Sequence, residues 1–298
     1  MPAHVLLSLA ALFALVFPPP PSAAAPPPPV FLNHFYVVVS AESYAAILKD
    51  PYLATTFAPF EKRTTVRNDN TYTGAYWYGR RTYFEVFEPP SQGPQGAGGM
   101  AFSVDGAGES GAIKAAWTES LGAAETSPVT RRTETGEPTW FHITSARGMP
   151  SGLRLWLMEY DKGFLAGWYP ELTPARGITR AEVLDRYVAK IGRSKDRETA
   201  VLKDVTTLVV ALDDANRERL EKHLVPAGWS AKAGAAAGQV TFTGPEGLTI
   251  EVVKGSGSGQ GIQEARFSVQ GKPKPHSVTL GQVRLDVDSI SARMRFVP

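Results

Sequence analysis

Residues 31–49 read FLNHFYVVVSAESYAAILK. The first nine are almost unbroken apolar sequence carrying one histidine, which predicts a strand covered on both faces over 31–39. Ser40 suits an N-cap and Glu42 the first turn of a helix over 41–49. Three segments rich in Tyr, Phe, Val and Thr follow: KRTTVRN (62–68), YTGAYWYG (72–79) and TYFEVFEP (82–89). Asn, Asp, Gly and Arg–Arg turn signals separate them. The order is β-α-β-β-β.

Past a loop at 90–99 the order recurs, with MAFSVD (100–105), the helix ESGAIKAAWTESLG closing on Gly122, then SPVTRRTE, PTWFHITS and LRLWLMEYD. TRAE (179–182) is a capping box, and Val183, Leu184, Tyr187, Val188 and Ile191 form a helical apolar stripe that ends at Gly192. A third recurrence runs from VTTLVVALD (205–213) through the helix ANRERLEKHL to GQVTFTG, GLTIEVVKG and IQEARFSVQ, with GQVRLDVD and ARMRFV as further strand candidates. The expected fold class is α+β: repeated β-α-β-β-β units, two pairing into a curled mixed sheet that forms a cup, plus a third smaller unit. The segments would be a signal peptide (1–24), a proline-rich tether (25–30), the paired units (31–170), a helical connector (171–200) and the third unit (201–298).

Bulk composition narrows the function. The 298 residues carry 31 Lys and Arg against 29 Asp and Glu, for a net charge of +2. That balance gives no reason to expect a nucleic-acid or anionic-membrane partner. VLLSLAALFALVF (5–17) has the length of a signal-peptide apolar core and is too short to span a bilayer; SAAA (22–25) then offers a cleavage site after Ala24. Export to the periplasm or medium is the expectation, with no membrane contact after cleavage. The absence of cysteine excludes thiolate catalysis, Cys-ligated zinc and iron–sulfur clusters. GAGESG (106–111) matches a dinucleotide fingerprint, but three strands follow it rather than a parallel β-α repeat, which argues against that function.

LNHFYVVV with its following helix, YFEVFEP as fourth strand, and TTLVVALDD…LVPAGW…VTFTGPEGLTIEVV resemble the vicinal oxygen chelate superfamily. That group includes glyoxalase I, extradiol dioxygenases and bleomycin- and fosfomycin-resistance proteins. The resemblance implies a cup built from two units and a divalent metal (Zn, Mn or Fe) held by first and last strands. Carried over residue by residue, it implies His34, Glu85 and Glu159 as ligands, with Glu85 or Glu159 moving a proton as catalytic groups. The first strand of the second unit, GMAFSVD, lacks the family's histidine. His142, in WFHITS, is a candidate replacement. The resemblance also implies pairing of units between chains, so a homodimer is an open expectation.

Strand alternation is read independently of the family. It places His34 with Leu32, Tyr36 and Val38, Glu85 with Tyr83 and Phe87, and Glu159 with Leu155 and Leu157. Burying such groups costs on the order of several kcal/mol unless they are paired or metal-bound. Two alternatives stay open. His34 could be a core histidine bonded to Glu85 without metal, or the faces could be reversed, with Trp156 and Met158 inward. Without metal, a pair with Glu85 would favour charged His34. Tyr36, Tyr76, Tyr78 and Tyr83 would line a pocket for a flat or apolar small molecule. His223 is expected to be exposed and His276 to lie in a loop. Two functions follow: a metal-dependent lyase, isomerase or dioxygenase, or a non-catalytic protein that sequesters a small molecule without metal.

Overall fold

The computed structural model describes residues 27–296 except 135, 147–151, 169–176 and 237. The signal-peptide reading (1–24) lies outside the described residues. The first unit is β1 (Phe31–Val38), α1 (Ala41–Lys49), β2 (Phe60–Val66), β3 (Thr71–Tyr78) and β4 (Tyr83–Phe87). Ser40 caps α1, its Oγ accepting from the Ser43 N–H at 3.2 Å. The second unit is β5 (Gly98–Ser103), α2 (Ser110–Leu121), β6 (Ala124–Thr130), β7 (Thr139–Ala146) and β8 (Leu153–Tyr160). Both merge into one eight-stranded mixed sheet, ordered β2-β3-β4-β1-β5-β8-β7-β6. The first and last strands of each unit run parallel, and β1 and β5 join the units antiparallel. This is the α+β cup architecture expected from the repeats.

Three helices connect the halves: α3 (Lys162–Trp168), α4 (Arg180–Lys190) and α5 (Ser194–Thr199). Thr179 and Glu182 close a reciprocal capping box on α4, as TRAE predicted. The third unit is β9 (Leu202–Leu212), α6 (Asp214–Leu224), β10 (Ser230–Ala233), β11 (Val240–Thr243) and β12 (Thr249–Lys254). Four more strands extend it: β13 (Gly261–Val269), β14 (His276–Leu280), β15 (Val283–Val287) and β16 (Ser291–Phe296). The second sheet is therefore also eight-stranded, ordered β10-β11-β12-β9-β13-β16-β15-β14. IQEARFSVQ lies beside β9 and opens a fourth set of strands, where the sequence reading had it close the third unit. A strand's composition identifies a strand and not its neighbour. SAKA, the short polar β10, carries no β signal at all.

One face of each sheet enters a common core with α1, α2 and α6. Phe84 and Phe267 meet across it at 5.5 Å between ring centroids, and Phe102 meets Trp229 at 5.6 Å. His223 lies inside this core rather than at the surface. Its carbonyl accepts from Trp117 Nε1 at 2.8 Å, because α2 packs directly on α6. His276 begins β14 and stacks on Tyr52 at 3.8 Å, so it is not a loop residue. Among the described residues no helix is long and apolar enough to cross a membrane.

Candidate functional site

The other face of the first sheet forms the cup. Alternation along β1 fails at one place. Leu32 pairs with Phe102 but His34 with Ala101, so Asn33 is an extra residue in a bulge. The bulge returns Leu32 to the common core, correcting its expected place beside His34. It also brings Asn33 beside His34. Asn33 Oδ1 accepts from His34 Nδ1 at 2.9 Å while its amide nitrogen donates to Ser103 Oγ at 3.2 Å. With Nδ1 protonated, the bare Nε2 faces Glu85 Oε1 at 3.8 Å. Tyr83 stacks flat on the His34 ring at 4.4 Å, and the Trp156 indole meets its edge at 5.5 Å.

His34 and Glu85 are both buried. Burial, with the positive Arg63 and Arg67 nearby, lowers the imidazole to about 3. Burial raises the Glu85 carboxyl to about 7, the two arginines opposing it. His34 is thus neutral in this metal-free geometry. That corrects the expectation of a charged imidazole, because desolvation outweighs a carboxylate that is itself reluctant to ionise.

Tyrosines surround the pair. Tyr36 is the lateral neighbour of Glu85 on β1, and Tyr76 its neighbour on β3. Tyr36, Tyr76, Tyr78 and Tyr83 are all buried on this face. The Tyr36 hydroxyl is buried beside Arg154 and the Tyr76 hydroxyl beside Thr65. Burial pushes the Tyr36 phenol up to about 12, so it remains a neutral donor. Leu184, Tyr187 and Val188 of α4 cover this surface. Beneath Tyr187 lies Arg63, 4.1 Å from the Tyr76 ring centroid. Its Nη1 donates to Glu61 Oε1 at 2.7 Å and also contacts the Tyr187 hydroxyl. Tyr78 and Tyr187 each donate to Glu61 at 2.6 Å.

The second unit contributes a different set from the one expected. Leu155 and Leu157 enter the common core, while Trp156 and Met158 face the cup. Glu159 therefore points to the opposite side. There its carboxylate accepts from the Gly108 and Ser110 N–H groups at 2.6 and 3.2 Å, capping the start of α2. His142 is the registered partner of Glu159 and shares its face. It pairs with Asp161 at 3.2 Å, away from His34. The structure brings His34 and Glu85 together and leaves Glu159 and His142 elsewhere.

The two units are related by register. Tyr36 pairs with Glu85 two residues past His34, and Ser103 pairs with Met158 two residues past Ala101. Ala101 and Met158 thus stand where the second unit would supply partners for His34 and Glu85. One imidazole, one carboxyl, a methyl and a soft thioether do not fit a resident hard divalent ion. Among the described residues no group of three or more His, Asp or Glu side chains could hold a metal.

Beside Trp156 the cup opens into a cavity of about 400 Å³. Tyr36, Trp156 and Ile143 form its apolar wall; Arg154 and Asn70 bring polar groups, and Arg67 lines it while donating to both carboxylate oxygens of Asp69 at 2.7 and 2.6 Å. Gly99 lies behind that wall, where a Cβ would overlap both the Tyr36 ring and the Trp156 indole. The sequence reading missed Arg63, Arg67, Arg154 and Trp156. Only Trp156 left a signal, as one of two equally apolar rows on β8.

A profile of a family of unknown function, DUF5829, matches residues 32–293. The chain belongs to that family. The match spans both sheets, so DUF5829 comprises the cup and the second sheet together. No curated protein matches the chain. Among solved structures it is similar to a hypothetical protein from Staphylococcus aureus, at 8% identity and TM-score 0.48, covering 84% of this chain and 96% of that one. It is also similar to the 2,3-dioxygenase LapB from Pseudomonas sp. KL28, at 13% identity and TM-score 0.44, covering 92% and 94%. A third likeness is to an extradiol ring-cleaving dioxygenase from B. fuscum, at 13% identity and TM-score 0.40, covering 92% and 73%. At these scores no chemistry passes from those proteins to this one.

Proposed function

We propose that this chain is an exported protein that binds a small, flat, anionic organic molecule in the aromatic cup of its first sheet, without a resident metal. The observation that carries this reading is the cavity of about 400 Å³ with Tyr36 and Trp156 on one side and Arg67 and Arg154 beside them. An aromatic body would stack on the indole, and a carboxylate would take hydrogen bonds from the Arg154 guanidinium, that of Arg67 being engaged by Asp69. Export is supported by the apolar run 5–17 and the small residues at 22–25.

The test is tryptophan fluorescence of the chelator-treated mature protein titrated with 4-hydroxybenzoate, benzoate and hexanoate. The expected order is both aromatic acids ahead of hexanoate, with quenching lost in Trp156→Phe. Equal or absent response to all three overturns the reading.

One observation favours a second reading, catalysis by proton transfer. A carboxyl raised to about 7 beside a neutral imidazole can both hold and release a proton at neutral pH. Glu85 would be the group that moves the proton, with His34 orienting it. Exchange of an acidic ligand proton with deuterated solvent, lost in Glu85→Gln, would support it.

A further inference from the structure

We propose that Glu246 is a positioning residue that latches α4 over the tyrosine face of the cup, so that the second sheet holds the cover of that face in place. Among the described residues Glu246 is the one non-glycine residue with positive φ, at 62°. A glycine would hold the same turn without strain, as its neighbour Gly247 does at 77°. What glycine lacks is the carboxylate, and here the carboxylate is shared. It meets Arg81 Nη1 at 2.9 Å with one oxygen and Arg180 Nη2 at 3.0 Å with the other. Strain held by two charge-assisted contacts points to a role for the side chain rather than for the turn.

Arg180 is the first residue of α4 and is buried. Its guanidinium lies 4.0 Å from the Phe31 ring centroid and donates to the Leu32 carbonyl at 2.9 Å, one residue before the bulge that aims His34. Its backbone N–H donates to Asp105 Oδ1 at 3.0 Å. Asp105 also pairs with Arg180 Nε at 3.5 Å, so Glu246 is the second-sheet member of the set that holds the start of the helix whose Leu184, Tyr187 and Val188 close the tyrosine face. A cavity of about 70 Å³ beside Glu246, lined by Phe31, Arg81, Arg180 and Asp204, gives the carboxylate room to leave its partners. Release would loosen the α4 start, leaving it on the Leu32 carbonyl and Asp105, while its own capping box, Thr179 with Glu182, keeps the helix intact. The purpose given to this latch rests on the reading of the cup as a binding site.

Hydrogen exchange of ligand-free protein tests the latch without that reading. Glu246→Gln keeps the shape and removes the charge; Glu246→Gly also removes the strain. Both are expected to speed amide exchange in α4 about tenfold or more, with the amides of β1, β4 and β9 unchanged. Glu246→Gly should do so with an unchanged or raised melting midpoint. Unchanged α4 exchange in both variants, or acceleration spread evenly over both sheets, overturns the proposal. A fluorescence titration with 4-hydroxybenzoate, whose cavity is lined from β1, β7, β8 and neighbouring loops, should give the same affinity in Glu246→Gln as in wild type. If the probe binds neither protein, the cup reading fails while the exchange result still decides the latch.

Discussion

The two sheets share a strand order and differ in what their free faces carry. Register makes the comparison residue by residue. The pair His34 and Tyr83 in the first sheet corresponds to Thr207 and Thr249 in the second, and the pair Tyr36 and Glu85 to Val209 and Glu251. In the first sheet that face is tyrosine, covered by α4, and Glu85 is buried. In the second, Thr207 and Thr249 share a hydroxyl contact at 2.9 Å, and Glu251 accepts from Arg266 at 2.9 Å. Arg266 also meets Glu264 at 2.6 Å, Arg295 meets Asp286 at 3.2 Å, and these arginine side chains are 35% and 43% exposed. The same backbone thus presents a desolvated carboxyl beside a neutral imidazole on one sheet and a solvated ion-pair lattice on the other. In the first arrangement burial raises the proton affinity of the carboxyl; in the second, hydrogen bonds from Arg284 and Ser277 lower that of Asp286.

The largest expected effect comes from completing the cup. Ala101→His with Met158→Glu would set two imidazoles and two carboxylates on neighbouring strands. The double variant should pass from no stoichiometric metal to about one zinc ion per chain by elemental analysis. Failure to bind metal would mean that the two units are not related by the register given above.

Next is the proton affinity of Glu85. Its folded value, about 7, lies above the ordinary 4.5. Between those values the folded protein keeps a proton that the unfolded chain has lost. Stability from this group is therefore full below pH 4.5 and falls as pH rises to 7 and beyond, by roughly 3 kcal/mol. His34, lowered to about 3, acts with the opposite sign, costing stability as pH falls from 6.5. Urea unfolding of wild type against Glu85→Gln isolates the first term. The variant should gain on wild type by that amount from pH 4 to 8. A flat difference would show that Glu85 is as solvated as Glu251.

A smaller effect is expected at the cavity wall. Gly99→Ala would push Tyr36 or Trp156 into the cavity, costing about 1–3 kcal/mol of stability and weakening ligand binding. Thermal unfolding and the fluorescence titration check both. Smallest is Glu251→Gln in the second sheet. A half-exposed ion pair there should be worth about 0–1 kcal/mol by urea unfolding.

How far the site could be read in advance follows from the same physics. LNHFYVVV and YFEVFEP place His34 and Glu85 on parallel neighbours, because an interrupted apolar run and an aromatic row each mark a single polar position. On β8 both rows are apolar, Leu155 with Leu157 and Trp156 with Met158, so alternation could not choose a face and Glu159 was set on the wrong one. On β2 both rows are polar, which hid Arg63. The bulge at Asn33 has no composition of its own. The α4 stripe was visible as a helix face, but what it covers depends on Arg180 and on a carboxylate 66 residues away in the chain.

The central claim is that the cup holds an aromatic anion without metal. Isothermal titration of 4-hydroxybenzoate into mature protein, before and after exhaustive chelation, tests it most directly. The prediction is equal affinity in both samples, lowered about tenfold or more in Arg154→Ala through loss of a charge-assisted contact. Binding that disappears on chelation and returns with one equivalent of a divalent ion would contradict it.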